Sequence, residues 1–473
     1  MTDLQKYFQQ GGYEMLRKAL TASDPNSGQA LIPQFLEKLI TNTAIRLVPS
    51  WEYNAFQYGA QRRHEFNYSS ALGVVGGAQG EMAAAVSNNS TNNRTAVDLK
   101  VIRRPGTVTW FLKESSAAYI DALAYEIERQ ITAQVYSLSL YSFFGNEQAN
   151  SYEFTGRDTY IKTNRFQDGF TTGTPTLLSD LKYLDKMVAA SNRAGGYSHR
   201  RAWIMSPEMA MRIRQLTTTV LQYQEVGKGR QEPGVGIGYY AAAYLDIPIL
   251  PSSFTGGIGA TQMGTVTATS GGTTGGSFSD GTYGFRVEVI DDKGQGMAAA
   301  KSSVTLSGGT ATQKVTLSFT AVNNALWYRV YFSATNADTD MKLVKVVCAQ
   351  SYDGTGAVTG GISSISVLAP TADTTVTNTS SSTSSFAPDM SGDFSNRAVS
   401  SVNSENIYLI DFDAIQGLGK MPYCNVGDRA EGPISLLRLP PSYQGENFSI
   451  YSHVAIAPSY EATSCVSRGW LAA

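Results

Sequence analysis

Charge is scarce in this chain. Only 16% of its 473 residues are Asp, Glu, Lys or Arg, against about 25% in an average soluble protein. The deficit leaves two readings open: a surface hidden against copies of the same chain, or a β-rich surface coated with Thr, Ser and Gly. The formal net charge is −2 and no basic domain or stripe stands out, which argues against a dedicated nucleic-acid binder. Cysteine is also sparse. Cys348, Cys424 and Cys465 are scattered and odd in number, so they read as reduced thiols of a protein folded in a cytosol, not as a disulfide framework. Sequons such as Asn89-Ser90-Thr91 then carry no glycan meaning. The three histidines, His64, His199 and His453, lie far apart, and neither H-x-x-x-H nor C-x-x-C occurs, which argues against a zinc site and any metal cofactor. No apolar run approaches the ~20 residues of a membrane helix. The N-terminal stretch MTDLQKYFQQGGYEML has no apolar core of the signal-peptide kind, so no signal peptide is expected.

What is present supports packed cores. Hydrophobic residues make up 42% and aromatics 11%, which excludes global disorder. At roughly 100–200 residues per domain the length allows two to four domains. Residues 2–20 and 33–40 are predicted as short helices of an N-terminal arm over 1–50, with Pro33 suited to a first helical position. Residues 51–113 alternate as two strands around the tip ALGVVGGAQGEMAAAVSNNSTNNR and predict an extended hairpin, a structure that is marginal alone in water. The spacing of Ile120, Leu123, Ile127, Ile131, Val135 and Leu138 predicts one apolar-striped helix over 115–144, capped by Ser115 or Ser116 and stopped at Gly145-Asn146. Residues 175–254 read as α/β, with Ser206 capping and Pro207 opening the helix PEMAMRIRQL.

Residues 255–400 interrupt this text. GTYGFRVEVIDDKG, QKVTLSFTAV, ALWYRVYFSA and KLVKVVCAQSYD alternate as strands between Gly, Asn and Asp turns. Low-complexity Gly/Thr/Ser stretches flank them, which predicts a tethered β-sandwich with its own core. Mixed text returns over 401–445 and closes on strands over 446–473.

Catalytic constellations are not found. The serines lack a G-x-S-x-G elbow, and GVGIGYY at 234–240 lacks the G-K-[ST] ending of a phosphate loop. Asp291-Asp292 precedes Lys293-Gly294, a hairpin-turn signal. Asp411 and Asp413 are expected to end a strand or meet a cation. No base, metal or nucleophile accompanies them, so no enzyme activity is expected. Lys228 and Arg230 read as solvated charges on a loop. Arg62, Arg63 and Arg103, Arg104 are placed at comparable heights on the two arms of the hairpin. They are either a charged edge that blocks stray strand pairing or contacts to another subunit, with Asp121, Glu126 and Glu128 as candidate partners.

The order of parts resembles the major capsid proteins of tailed bacteriophages, which share the Hong Kong 97 (HK-97-like) fold. ALIPQFLEKLI leads into the hairpin, and RPGTVTWFLKESSAAYIDALAYEIERQITAQVYSLSLYSFFGN is similar to hairpin exit and spine helix. AWIMSPEMAMRIRQL and YLDIPILPSS are similar to an axial domain, and HVAIAPSYEA to a closing peripheral strand. The insertion resembles fibronectin type III or immunoglobulin-like modules in GTYGFRVEVIDDKGQGMAA, VTLSFTAVNNALWYRVYFS and SYDGTG. The resemblance implies an α+β fold with an N-terminal arm (1–50), extended hairpin (51–113), spine helix and peripheral domain (114–174), axial domain (175–254 and 401–445), inserted all-β sandwich (255–400) and closing peripheral strands (446–473). It implies a virion protein that assembles in the bacterial host cytoplasm as hexamers and pentamers of an icosahedral shell. The shell encloses double-stranded DNA without sequence-specific contact, without cofactor or membrane, alongside scaffold, portal or cement proteins. An encapsulin-type shell, or a tail or fibre protein with a glycan-binding sandwich, is the alternative. No pattern selects Lys100 or Lys113 for a subunit cross-link.

Overall fold

The computed structural model describes residues 57–58, 63–71, 90–116, 121–147, 152–166, 168–171, 174–220, 243–255, 261–291, 294–309, 311–338, 341–352, 358–370, 385–386, 404–420, 434–441 and 445–471. The expected arm helices, the hairpin tip, Arg62, Lys228, Arg230 and Cys424 lie outside the described residues. The chain forms two compact units, one of residues 1–45, 107–128 and 440–447, the other of 46–106, 129–439 and 448–473.

The smaller unit holds helix α1 (Trp110–Ser116) and the start of helix α2 (Ala122–Phe144). Sequence periodicity predicts one helix over this stretch; the structure has two. The first begins inside WFL, which reads as strand. The cap of the second is Asp121, not a serine: its Oδ1 accepts the N–H groups of Leu123 at 3.0 Å and Ala124 at 3.2 Å, satisfying two donors that a helix start leaves open. Lys113 meets Glu446 at 2.5 Å and lies 5.4 Å from the Trp110 ring centroid. Trp110, Phe111 and Leu112 are all exposed, Phe111 to 83%.

In the larger unit, β2 (Arg63–Ala71) and β3 (Thr91–Asp98) form a two-stranded ribbon with Arg63 opposite Asp98 and Ala71 opposite Thr91. After Leu99 the chain runs on as β4 (Lys100–Thr109) beside β25 (Gly445–Pro458). That five-stranded sheet also contains β1 (Gln57–Tyr58), β23 (Ile415–Lys420) and β24 (Ile434–Arg438). An eight-stranded sheet runs β6 (Phe170–Thr171), β7 (Thr174–Leu177), β26 (Cys465–Leu471), β22 (Glu405–Asp411), β8 (Arg201–Met205), β10 (Ile247–Pro251), β9 (Ala243–Tyr244), with β5 (Arg165–Phe166) on β26. Helices α3 (Arg157–Tyr160), α4 (Lys182–Arg193) and α5 (Pro207–Val220) accompany it. The expected helix start at 206 is there: Ser206 Oγ accepts the Met209 N–H at 3.0 Å.

The interrupting segment contains two main sheets. One orders β11 (Thr267–Gly272), β15 (Lys314–Ser318), β20 (Ser364–Val367). The other orders β13 (Gly294–Ala298), β12 (Gly281–Asp291), β16 (Ala325–Ser333), β17 (Lys342–Cys348), β21 (Ser385–Phe386), with β14 (Ser302–Leu306) on β12. A short pair, β18 (Gln350–Tyr352) and β19 (Val358–Gly361), completes it. Between β12 and β13, Asp291 pairs with Gly294, whose φ of 102° favours glycine. A Cβ on Gly294 would fall 2.1 Å from the Phe254 carbonyl oxygen.

Side-chain alternation decides where each face of this six-stranded sheet goes. Phe285, Val287, Val289, Tyr328, Val330, Phe332, Val344 and Val347 meet Leu317, Phe319 and Ile365 in a core between the two sheets. The intervening Ile290, Trp327, Tyr331, Leu343 and Val346 join a second core with Leu138, Phe143, Phe144, Phe254 and Tyr408. The sequence predicts a tethered module standing apart from the main core. The structure differs: the sheet is covered on both faces, and its second face lies against α2. The same contact explains why the predicted stripe of α2 is fully buried only at its C-terminal end, at Leu138, with Leu123, Ile127 and Val135 half-buried. Ile131 is 38% exposed, whereas burial concentrates at Leu138, Leu140, Phe143 and Phe144, where Trp327 stands edge-on to Tyr141 with ring centroids 5.5 Å apart.

Phe143 sits at the centre of that core, 5.2 Å from the Phe254 ring and 5.5 Å from the Tyr408 ring, and is fully buried. Phe143→Ala should lower unfolding free energy by about 3–5 kcal/mol, measured by chemical denaturation. A loss under about 1 kcal/mol would show that the cluster repacks.

Candidate assembly surfaces

The arginines singled out by sequence are separated by the fold. Arg63 lies on β2, where its Nε is 3.4 Å from Glu65 Oε1. Arg94 of β3 bonds the other oxygen of the same carboxylate, so the ribbon carries a compact Arg–Glu–Arg cluster. β2 pairs with β3, and Arg63 stands opposite Asp98, not opposite Arg103. The offset is five residues, about 17 Å of strand, which corrects the expectation of comparable heights. On β4, side chains alternate. Arg103 is exposed, whereas Arg104 turns inward and donates to Ser137 Oγ of α2 at 2.8 Å. Asp121 is the cap described above; Glu126 is half-buried and Glu128 exposed on α2. The three acidic candidates belong to the smaller unit and the arginines to the larger.

Sequence reasoning missed the strongest electrostatic site, which is buried. Asp158 of α3 is 1% exposed. Its Oδ2 accepts a hydrogen bond from Arg329 Nη2 of β16 at 2.9 Å, and its Oδ1 accepts one from Arg468 of β26 and one from the Tyr408 hydroxyl of β22 at 3.2 Å. Burial alone pushes this carboxyl up; Arg468, Arg329 and Arg165 outweigh it and hold the group well below its ordinary value of 3.8. Tyr331 donates to Glu288 Oε2 at 2.7 Å, and Trp327 Nε1 donates to Glu153 Oε2 at 2.9 Å. Next to Asp158, the guanidinium of Arg157 lies 5.0 Å from the Phe412 ring centroid and 5.9 Å from that of Phe143, and burial pushes its pKa down to about 9. A signal for this network is present in the sequence: Glu288 and Arg329 interrupt otherwise apolar strand runs, and a charge in such a run is buried only when paired.

Among the described residues no cluster of three or more His, Cys, Asp or Glu side chains is placed to hold a metal ion, and no helix is long and apolar enough to cross a membrane. Asp411 caps its own turn, accepting the N–H groups of Asp413 and Ala414 and facing His199 Nδ1 at 2.6 Å, while Asp413 accepts the Arg200 N–H. Both carboxylates are thus occupied in shaping the end of β22. Cys348 and Cys465 are buried thiols that form no disulfide among the described residues.

No family model matches the chain, and no curated protein matches it. Solved shell structures do. The capsid of the native GTA particle is 10% identical at a TM-score of 0.45, covering 96% of this chain and 100% of that one. The capsid asymmetric unit of cyanophage A-1(L) is 12% identical at 0.44, covering 93% and 98%. The holo-SrpI encapsulin complex from Synechococcus elongatus is 9% identical at 0.40, covering 92% and 93%.

Two buried carboxyls give opposite pH behaviour. Glu405, at the start of β22, is pushed up to about 7 by burial, against the Ser206 hydroxyl bond and with help from Glu208. A raised folded-state pKa favours stability below about pH 4.5 and loses it as pH rises through 7. Glu405→Gln should therefore gain melting temperature relative to the parent as pH goes from 5 to 8; a constant difference would show that the carboxyl is not neutral when folded. Asp158, held low, contributes above its ordinary value of 3.8 and loses that contribution only as pH falls. Asp158→Ala takes the shared carboxylate from two buried guanidinium groups and should cost about 3–5 kcal/mol at neutral pH, measured by denaturant titration.

Proposed function

We propose that this chain is a structural shell subunit, the major capsid protein of a tailed phage. It self-associates into hexamers and pentamers of a head that encloses double-stranded DNA. The observation that carries this reading is the β2–β3 ribbon. Its foot is anchored, with Phe66 packed against a core containing Val97 and Leu99. Beyond the foot, Asn67, Ser90, Thr91, Asn92 and Arg94 are exposed, and no third strand pairs with β2 or β3 among the described residues. A two-stranded ribbon is marginal in water on its own. A neighbouring copy supplies the missing surface, and repetition of one such contact around a closed shell multiplies a weak interface without any catalytic group.

The exposed Trp110-Phe111-Leu112 run is a second patch of the kind that marks protein contacts. Arg63 and Arg103 supply charge for exposed pairs with Asp121, Glu126 or Glu128 of a neighbour, each worth roughly 0–1 kcal/mol but repeated around the shell. In the assembled particle the chain works in the virion after assembly in the host cytoplasm. Scaffold, portal and cement proteins are its expected partners, and the interrupting segment takes the place of an immunoglobulin-like module.

The test uses the ribbon's register. Residues 68–93 are replaced by Asn-Gly, a two-residue turn, joining the paired residues Asn67 and Arg94. The expected product has parental circular dichroism and sediments as a monomer, with no shells by negative-stain microscopy; normal shells would overturn the reading. Phe111→Asp should block assembly in the same way without lowering the melting temperature.

A further inference from the structure

We infer that the described residues of 261–370 are an integral part of the subunit's core, a wall closed over α2 and α3, and not a separable module carried on linkers. The inference does not rest on the shell reading. Three observations support it.

The first is two-sided burial. In β16, Tyr328, Val330 and Phe332 serve the segment's internal core, while Trp327 and Tyr331 serve the core shared with Leu138, Phe143 and Phe144. Trp327 is 1% exposed and Tyr331 2%. An autonomous two-sheet module keeps polar side chains on its outer faces; this one spends its largest aromatics there.

The second is chemical complementarity. Asp158 is bonded from the segment by Arg329 and from the main body by Arg468, and Glu153 accepts the Trp327 indole N–H. Separation would take from Asp158 one of its two arginines, from Arg329 its closest carboxylate and from the Trp327 indole its acceptor.

The third concerns the neck. Thr255 precedes the segment and Asn406 follows it, and the Asn406 N–H donates to the Thr255 carbonyl at 3.1 Å. The two ends of the segment therefore lie side by side at a single neck. With its six-stranded sheet covered, the face left to solvent is that of β11, β15 and β20, where Thr267, Thr269, Ser318 and Ser364 are exposed.

The deciding experiment is amide hydrogen exchange by mass spectrometry on the full-length chain, parent and Trp327→Ala, together with calorimetry. Removing a fully buried indole from the segment should speed exchange of the main-body peptide 138–144 by about a hundredfold or more, and the parent should melt in one transition. Unchanged exchange at 138–144, or two resolved transitions with the segment melting separately, would overturn the inference. Should Trp327→Ala not fold, Arg329→Lys serves in its place. It keeps the charge but loses the fork geometry, and faster exchange confined to the segment would count equally against the proposal.

Discussion

One carboxylate holds together parts of the chain that are far apart in sequence. Asp158 is bonded by Arg329, 171 residues away, and by Arg468, 310 residues away. Burying three charges costs several kcal/mol each, and attraction offsets that only when geometry is good and the remaining lone pairs are occupied. Here the fourth participant is the Tyr408 hydroxyl. Such a site adds little net stability over an apolar equivalent. Its effect is discrimination: a sheet slipped by one residue would carry Arg329 to the opposite face and leave Asp158 buried with a single arginine.

The apolar contacts around this site supply the driving force that the charges direct. Phe143, Phe144, Leu138, Trp327 and Tyr331 lie in one cluster, and aromatic groups contribute large buried area with specific edge-to-face geometry. The C-terminal half of α2 is thereby fixed, while its N-terminal half keeps more accessible side chains such as Ile131.

Much of this was legible locally. The alternation in GTYGFRVEVI and ALWYRVYFS read as strands and is found as β12 and β16; Ser206-Pro207 read as a helix start and is one; Gly145 ends α2 with its N–H on the Tyr141 carbonyl at 2.9 Å. The errors have physical causes. Asp121 caps the start of α2, and hydrophobic periodicity carries no information about caps. The arginines on the hairpin were aligned by counting along two arms, whereas the strand opposite β2 ends at Asp98 and β4 continues beyond the ribbon's foot.

The sequence by itself determined the elements, since period, capping residues and turn residues act within a few positions of one another. Only the tertiary structure decided which face of β12, β16 and β17 meets which core, that Arg329 and Asp158 are partners, and that the interrupting segment is walled into the main body. Those outcomes depend on contacts between residues more than a hundred positions apart. Alternation shows that a strand has two faces, but what each face meets is settled only when the distant chain arrives to cover it.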